Sequence, residues 1–580
     1  MKRVVGVVAG VAVLTLGMGG VPGGAAGADG DPTGVDDGRA GPVGLPGSGS
    51  SAGPDDPIWP ARVPVGKGAP KPSTLVWRPC PEPAKRHTAA RLPGHSAFPG
   101  LAAPAGLAAA GVRAAPEQKV ECATLRVPLD HREPYGQTVE LALNRVKGTA
   151  SRDHNHLGAL LVNPGGPGAS GRDLARHVAA GLPAAISARF DVIGFDPRGV
   201  GASKPALTCV DAKTYYAPPR LDHVPRGAAQ EQRLLAQARE YATACGNRWS
   251  WMLPHMTTEN SARDIEAIRV ALAEEKISYL GYSYGTYLGA VYATLYPARI
   301  RRLVLDSSVD PQGVWYKANL AQNYAFDQRH RDFLAWVARH NRVYRLGAKA
   351  ADVRFAWYSM RDRLRGRPAG GLVGPSELDD IYTVAGYSDR VWPTLADAFS
   401  AYVRKGGTKG LIDAYHRHGE NDAAAENNYA VYLSVQCRDA AWPREWSAWR
   451  ADTTEIHAKA PFLAWPNTWY NAPCASWAVP AAGPVRVRSS GALPPILMLQ
   501  TRHDAATPYA GALRLRRALG TASMVVEGGG NHGAGLAGNA CVDRHLVAYL
   551  REGTLPARRG AGPDARCPAN AAPAPTSAAG

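Results

Sequence analysis

Short runs of mainly apolar residues recur along this chain, and segments with helical spacing separate most of them. Residues 159–162 (Ala-Leu-Leu-Val), 190–195, 276–280, 300–305, 495–500 and 523–527 each have the length of a strand covered on both faces. Ahead of them, 122–128 and 138–146 predict two more strands, with a turn at 130–136 punctuated by Pro134 and Gly136. Between strands, Ser261 is the expected N-cap of a helix, with Asp264 three residues on and Ile265, Ile268 and Leu272 on one face. A second helix follows 276–280 and is closed by Pro297; others start at Pro508 and near Cys541. Alternating strands and helices predict an α/β fold, a mostly parallel central sheet with helices on both faces. The rhythm stops over 311–490, where helical, tryptophan-rich stretches predict a large, mainly helical cap. It is inserted before the strand 495–500, over the carboxyl edge of the sheet, where ligands bind in open α/β sheets.

The ends of the chain follow other rules. Lys2 and Arg3, the apolar run 4–16 and the small residues through Ala28 predict a secretory signal over 1–28, cleaved near Ala26-Gly27-Ala28. The apolar run is too short to span a bilayer, and no later segment reaches that length. Residues 29–75 are rich in Gly, Pro, Ala, Ser and Asp and predict a flexible leader or propeptide. The expected organisation continues with a first part of the core over 76–310, the cap over 311–490, a second part over 491–555 and a tail over 556–580. Within the first part, 84–116 reads as a loose insertion.

Eight cysteines without a C-x-x-C pair suit an exported, disulfide-bonded protein, and we expect each to pair with its neighbour along the chain: 80 with 122, 209 with 245, 437 with 474 and 541 with 567. The net charge of +17 is mostly arginine spread through helices and loops. That distribution excludes a nucleic-acid stripe and leaves a solvated basic surface, which would associate weakly with an anionic cell wall.

The chemistry centres on Gly281-Tyr282-Ser283-Tyr284-Gly285, which lies between a strand and a helix. That context makes Gly-x-Ser-x-Gly a nucleophile elbow: the serine sits on a sharp turn, and glycines two residues away let the backbones approach. A serine hydroxyl needs a base, and the base an orienting acid. Asp504 follows the strand 495–500, with Thr507 and Pro508 expected to cap the next helix; His532 follows the strand 523–527 in a glycine-rich loop. Serine, acid, histidine is the chain order this chemistry takes on such a sheet. His503 competes as base and Asp306, which ends the strand after the elbow, competes as acid. An oxyanion hole would use the backbone N–H groups of Tyr284 and of Gly166, with Gly165 as the alternative, since the prolines of 163–168 have none to give. Loss of one such donor costs about 3 kcal/mol of transition-state stabilisation. No cofactor and no metal site is expected.

Five stretches occur in order: Asn163-Pro-Gly-Gly-Pro-Gly168, Phe195-Asp-Pro-Arg-Gly-Val-Gly201, Gly281 to Gly289, Asp504-x-x-Thr-Pro508 and Gly530-Asn-His-Gly533. Together they resemble the secreted bacterial tripeptidyl aminopeptidases, relatives of the prolyl aminopeptidases among the α/β-hydrolases. The resemblance covers about residues 120–310 and 490–550. It departs from the prolyl enzymes, which begin the oxyanion loop with His-Gly where this chain has Asn163-Pro164. It implies a serine exopeptidase that removes short peptides, tripeptides by this likeness, from substrates with a free N-terminus. An acid in the cap would then meet the substrate ammonium; Glu426 and Asp439 are the expected residues, with Glu420 and Asp422 as further candidates. A carboxylesterase on the same scaffold and a catalytically silent binding protein are the alternatives. The triad does not separate ester from amide, while its completeness speaks against silence.

Overall fold

The computed structural model describes residues 75–81, 119–152, 155–419 and 422–576. The expected signal and the 84–116 insertion lie outside them. Among the described residues ten strands form one sheet: β1 (Arg78–Pro79), β2 (Val120–Pro128), β3 (Thr138–Val146), β4 (Ala159–Asn163), β5 (Asp191–Asp196), β6 (Ile277–Tyr282), β7 (Ile300–Asp306), β8 (Ile496–Thr501), β9 (Ala522–Glu527) and β10 (Ala565–Cys567). Their order is β1-β2-β3-β5-β4-β6-β7-β8-β9-β10. The first three pairings are antiparallel and the rest parallel.

The apolar runs are strands because each feeds two cores at once. Leu161, Tyr279, Leu303, Leu305, Met498 and Met524 point to one face, among the helices Ala228–Trp249, Thr258–Ala271, Tyr284–Leu295 and Tyr509–Leu519. Leu160, Val162, Leu280, Val304, Leu497 and Val525 point to the other, against Gly171–Gly181 and Ala540–Glu552. This period of two, with both faces covered, is the signature of a central parallel strand. After β4 the chain passes to β5 on one side and then to β6 on the other. The crevice at their carboxyl ends is thus a topological switch point.

Two helix starts differ from the sequence reading. The helix expected to be capped by Ser261 begins a turn earlier: Thr257 is the N-cap, its side chain accepting from the Asn260 amide. Asp264 makes no cap; it is buried in a bidentate pair with Arg198, at 2.7 Å on both oxygens, and it also meets His131. The helix after β8 has Pro508, not Thr507, at its N-cap, and a proline side chain has no acceptor to cap it; the Thr507 amide donates instead to Asp504.

Between β7 and β8 the described residues form helices and no sheet strand, as the lost alternation predicts. Helices from Tyr316–Arg339 to Lys409–His418 bury a core of their own around Phe333, Trp336, Trp357, Tyr382 and Phe399. The next helix, Ala423–Asp439, packs instead into the core of the sheet through Tyr429, Leu433 and Cys437. The cap also draws on residues between β5 and β6: Asp222 accepts from Arg361, and Glu377 accepts from Arg220. The sheet does not stop at 555, since β10 pairs with β9 and its Cys567 is bonded to Cys541. All four disulfides join neighbours along the chain, Cys80–Cys122, Cys209–Cys245, Cys437–Cys474 and Cys541–Cys567. No helix among the described residues is long and apolar enough to cross a membrane.

Candidate active site

Ser283 stands between β6 and the helix Tyr284–Leu295 with φ 55° and ψ −125°, a conformation costly for a residue with a side chain. The surroundings impose it. A Cβ on Gly281 would lie 2.3 Å from the Gly285 carbonyl oxygen, and one on Gly285 would lie 2.7 Å from the Asn163 carbonyl oxygen. The Ser283 amide donates to the Asp306 carbonyl at 3.0 Å, and its carbonyl accepts from the Thr286 amide at 2.8 Å. The turn is thus held from both β7 and its own helix.

Asn163 pairs in register with Gly281, so the loop after β4 lies beside the elbow. Its Oδ1 accepts the Gly165 amide at 2.9 Å, which commits that N–H inside the loop. Gly165 has φ +99°, and a Cβ there would strike the Tyr282 carbonyl oxygen at 2.6 Å and the Tyr284 nitrogen at 2.9 Å. The neighbouring Gly166 is partly exposed, as is Ser283. The cap helix Ala423–Asp439 closes over this loop, with the Asn428 carbonyl oxygen 2.5 Å from where a Cβ on Gly168 would be.

Asp504 and His532 meet at the ends of β8 and β9. His532 Nδ1 lies 2.9 and 3.0 Å from the two Asp504 oxygens, the contact of an imidazole N–H donating to a carboxylate, and both side chains are buried. Asp504 also accepts the Thr507 amide at 2.9 Å, an Asx-type turn that orients the carboxylate. The histidine loop is held by the Thr501 hydroxyl donating to the Asn531 carbonyl and by the His532 amide donating to the Tyr387 carbonyl. The Tyr387 ring also stands edge-on to the imidazole, with centroids 5.5 Å apart. The competing base His503 is exposed, and its backbone pairs with Gly529.

The carboxylates expected to meet a substrate ammonium are turned into protein. Asp439 is buried and accepts from the Thr258 amide (2.8 Å), the Thr258 hydroxyl (2.6 Å) and Trp315 Nε1 (3.3 Å); burial pushes its carboxyl up to about 6. Thr258 Oγ1 also lies 2.8 Å from the Tyr284 hydroxyl, so Asp439 braces the side chain of the residue after the serine. Glu426 is 1% exposed, and one of its oxygens accepts from the Cys209 and Val210 amides and the Tyr241 hydroxyl. Burial raises its carboxyl above the ordinary range. Two residues apart on a helix, Glu426 and Asn428 leave it about 200° apart, so Glu426 points away from the 163–168 loop that Asn428 covers. Glu426 borders instead a surface cleft of about 740 Å³ shared with Arg248, Tyr415 and Asp422. Asp422 caps its helix by accepting from the Ala424 and Ala425 amides, and Glu420 lies outside the described residues. The tryptophans of the cap are core: Trp442 stacks on Trp449 and Trp446 on Trp469.

Residues that the pattern along the chain did not single out complete the surroundings. Tyr387 and Asn428 come from the cap. Arg329, buried, lies over Trp392 at 4.9 Å, beside Gly530 and 3.5 Å from the Asn531 side-chain oxygen, where burial lowers the guanidinium's affinity for its proton. None belongs to a local motif.

A family profile described as TAP-like protein matches residues 460–567. The tripeptidyl aminopeptidase of Streptomyces lividans is 42% identical over 464 residues, covering 79% of this chain and 85% of the relative. The serine protease Hip1 of Mycobacterium tuberculosis is 32% identical over 455 residues, covering 75% of this chain and 86% of the relative. Carboxylesterase B of the same organism is 35% identical over 455 residues, with coverage of 75% and 85%.

Proposed function

Since this chain belongs to the tripeptidyl aminopeptidase family of α/β-hydrolases and is a serine peptidase, we propose that it is secreted and releases tripeptides from free N-termini through a Ser283–His532–Asp504 acyl-enzyme mechanism. The observation that carries the mechanism is the buried contact of His532 Nδ1 with Asp504, on loops at the same sheet edge as the strained Ser283 turn. Asp504 holds the Nδ1–H tautomer, so the Nε2 lone pair serves as the base. Ser283 Oγ attacks the scissile carbonyl and gives its proton to His532. The oxyanion is met by the N–H groups of Tyr284, first in its helix, and Gly166; Gly165 is the weaker candidate because its amide is committed to Asn163. His532 returns the proton to the leaving amine, the peptide remains as an ester on Ser283, and water activated by His532 releases it.

Secretion is supported by the signal pattern of residues 1–28 and by the pairing of all eight cysteines, since disulfides persist in oxidising compartments. Ester hydrolysis is the second reading, favoured by the likeness to carboxylesterase B. The two separate in one comparison: a free-amine tripeptide anilide, its N-acetylated form and a nitrophenyl ester. The exopeptidase should cleave the free anilide at least about tenfold faster than the blocked one, the tenfold that about 1.4 kcal/mol of amine recognition supplies. A serine-directed phosphonate should label Ser283, and Ser283→Ala should abolish both labelling and turnover. Equal rates on blocked and free anilides refute the exopeptidase, and turnover by the alanine variant refutes the mechanism.

A further inference from the structure

Asp306 ends β7 between the elbow and the histidine loop, buried, and it touches both. Its backbone carbonyl accepts the Ser283 amide at 3.0 Å. Its carboxylate accepts the Ala534 amide at 2.9 and 3.2 Å and the Gly535 amide at 2.6 Å. Ser307, at φ 59°, adds a third grip, its Oγ accepting the Gly533 amide at 2.8 Å. The elbow contributes one bond of its own: the hydroxyl of Tyr282, the residue before the nucleophile, donates to the Gly535 carbonyl at 3.2 Å. Three successive amides after His532 are therefore bound by two successive residues at the end of β7. Asp306 is not placed as the triad acid, because its oxygens serve these amides and the Ser307 hydroxyl, whereas His532 Nδ1 is held by Asp504.

We propose that Asp306 is a positioning residue that keeps the nucleophile elbow and the histidine loop in one register, its carbonyl gripping Ser283 and its carboxylate gripping the two residues beyond Gly533. This rests on the assignment of Ser283, His532 and Asp504 as the triad. A carboxylate suits the role because it presents two acceptors and no donor to a loop that offers only N–H groups. An asparagine would turn one NH₂ toward an amide N–H, and the loop would have to move. Displacements near 1 Å cost on the order of 100-fold in rate. The ionisable groups facing Asp306 are His532 and Asp504, with the Tyr282 phenol alongside; burial pushes its own carboxyl up to about 7.

The test compares Asp306→Asn, Ser307→Gly and Asp504→Asn in the full-length enzyme on the free-amine tripeptide anilide, with melting temperature and pH–rate profile recorded for each. Ser307→Gly removes the third grip at a position whose φ glycine adopts freely, so the variant keeps its fold. We expect Asp306→Asn to lower kcat about 10- to 100-fold, with KM changed less than about twofold. The acid limb of kcat/KM should change shape, since the Asp306 carboxyl, pushed up by burial to about 7, titrates in that range and an amide does not. Ser307→Gly should lower kcat about tenfold and leave that limb in place. Asp504→Asn should lose about 10⁴-fold. Asp306→Asn with wild-type kcat and an unchanged acid limb overturns the proposal and leaves the triad standing. A 10⁴-fold loss in Asp306→Asn beside an active Asp504→Asn overturns the triad assignment itself. If Asp306→Asn fails to fold, a folded Ser307→Gly with full kcat overturns the proposal.

Discussion

Glu426 shows how little a carboxylate's neighbours in sequence say about what it does. It lies in the cap helix that covers the 163–168 loop, yet its Oε1 accepts from two backbone amides and a tyrosine hydroxyl, and its side chain is almost wholly enclosed. Glutamine preserves that acceptor and removes a buried charge. Burial raises the folded-state pKa, so the wild-type chain binds this proton more tightly folded than unfolded. The associated stability is fully present at low pH and declines as pH rises past the ordinary glutamate value. Glu426→Gln should therefore keep the free-amine preference and should melt no lower than wild type at pH 8. A KM for the free-amine anilide raised about tenfold, with the acetylated substrate untouched, would instead make Glu426 the ammonium ligand. Asp439 and Asp306 were equally visible as acids in the sequence. That one braces Thr258 under Tyr284 and the other grips the histidine loop depends on backbone groups far away along the chain.

Elements were more legible than side-chain roles. A strand buried on both faces is mostly apolar, so the runs along the sheet announced themselves to within a residue or two. Helix starts were less secure, because Thr257 and Ser261 are both hydroxyl residues at the head of the same periodic segment, and only the path of the preceding chain selects between them. The cap helix Tyr316–Arg339 has a feature that no periodicity reveals. His330 is buried, lies parallel to the Phe462 ring at 4.0 Å and edge-on to Trp357 at 4.5 Å, and neither ring nitrogen has a hydrogen-bond partner. Burial lowers its pKa to about 3. The unfolded chain then binds the proton and the folded one does not, so stability is fully present above about pH 6.5 and is lost as pH falls toward 3. His330→Phe should flatten that part of the stability–pH curve, leaving stability at pH 8 equal or higher. Urea melts at pH 4.5 and 8 measure it, and an unchanged pH slope would show that the imidazole is not protonated on unfolding.

For the molecule as a whole, the two pieces of the cap are fastened to each other by buried charge. Arg361 donates to Asp222 and to Asp379, and all three side chains are buried; Arg220 bridges Glu377 and Asp380 nearby. Removing one partner strands the others in a low-dielectric interior, which costs about 3–5 kcal/mol. Arg361→Ala should lower the unfolding free energy, read from urea melts, by an amount in that range and make residues between β5 and β6 the first site of limited proteolysis. A variant whose unfolding free energy lies within about 1 kcal/mol of wild type would mean that the two pieces of the cap are held by their apolar core alone. The net charge of +17 belongs to this level too, as a property of the surface and not of the site.

Patterns confined to a few neighbouring residues carried the architecture and pointed to the proposed chemistry. Strand period, glycine spacing around Ser283 and the order of Ser283, Asp504 and His532 are properties of local backbone geometry and chain direction, and a single sequence displays both. Pairing each cysteine with its neighbour was legible for the same reason, since each such pair closes a short loop. Folding alone assigned the remaining roles. The second piece of the cap, the added edge strand β10, the withdrawal of Glu426 and Asp439 into protein and the double grip of Asp306 all join groups that lie far apart in sequence. Asp222 and Arg361 are 139 residues apart, and Asp306 and Gly535 are 229 apart. Whether a carboxylate faces substrate, braces a helix or binds a loop is settled by which distant amides need an acceptor once the core has closed, because a buried N–H left unpaired costs more than any preference the acid has along its own segment.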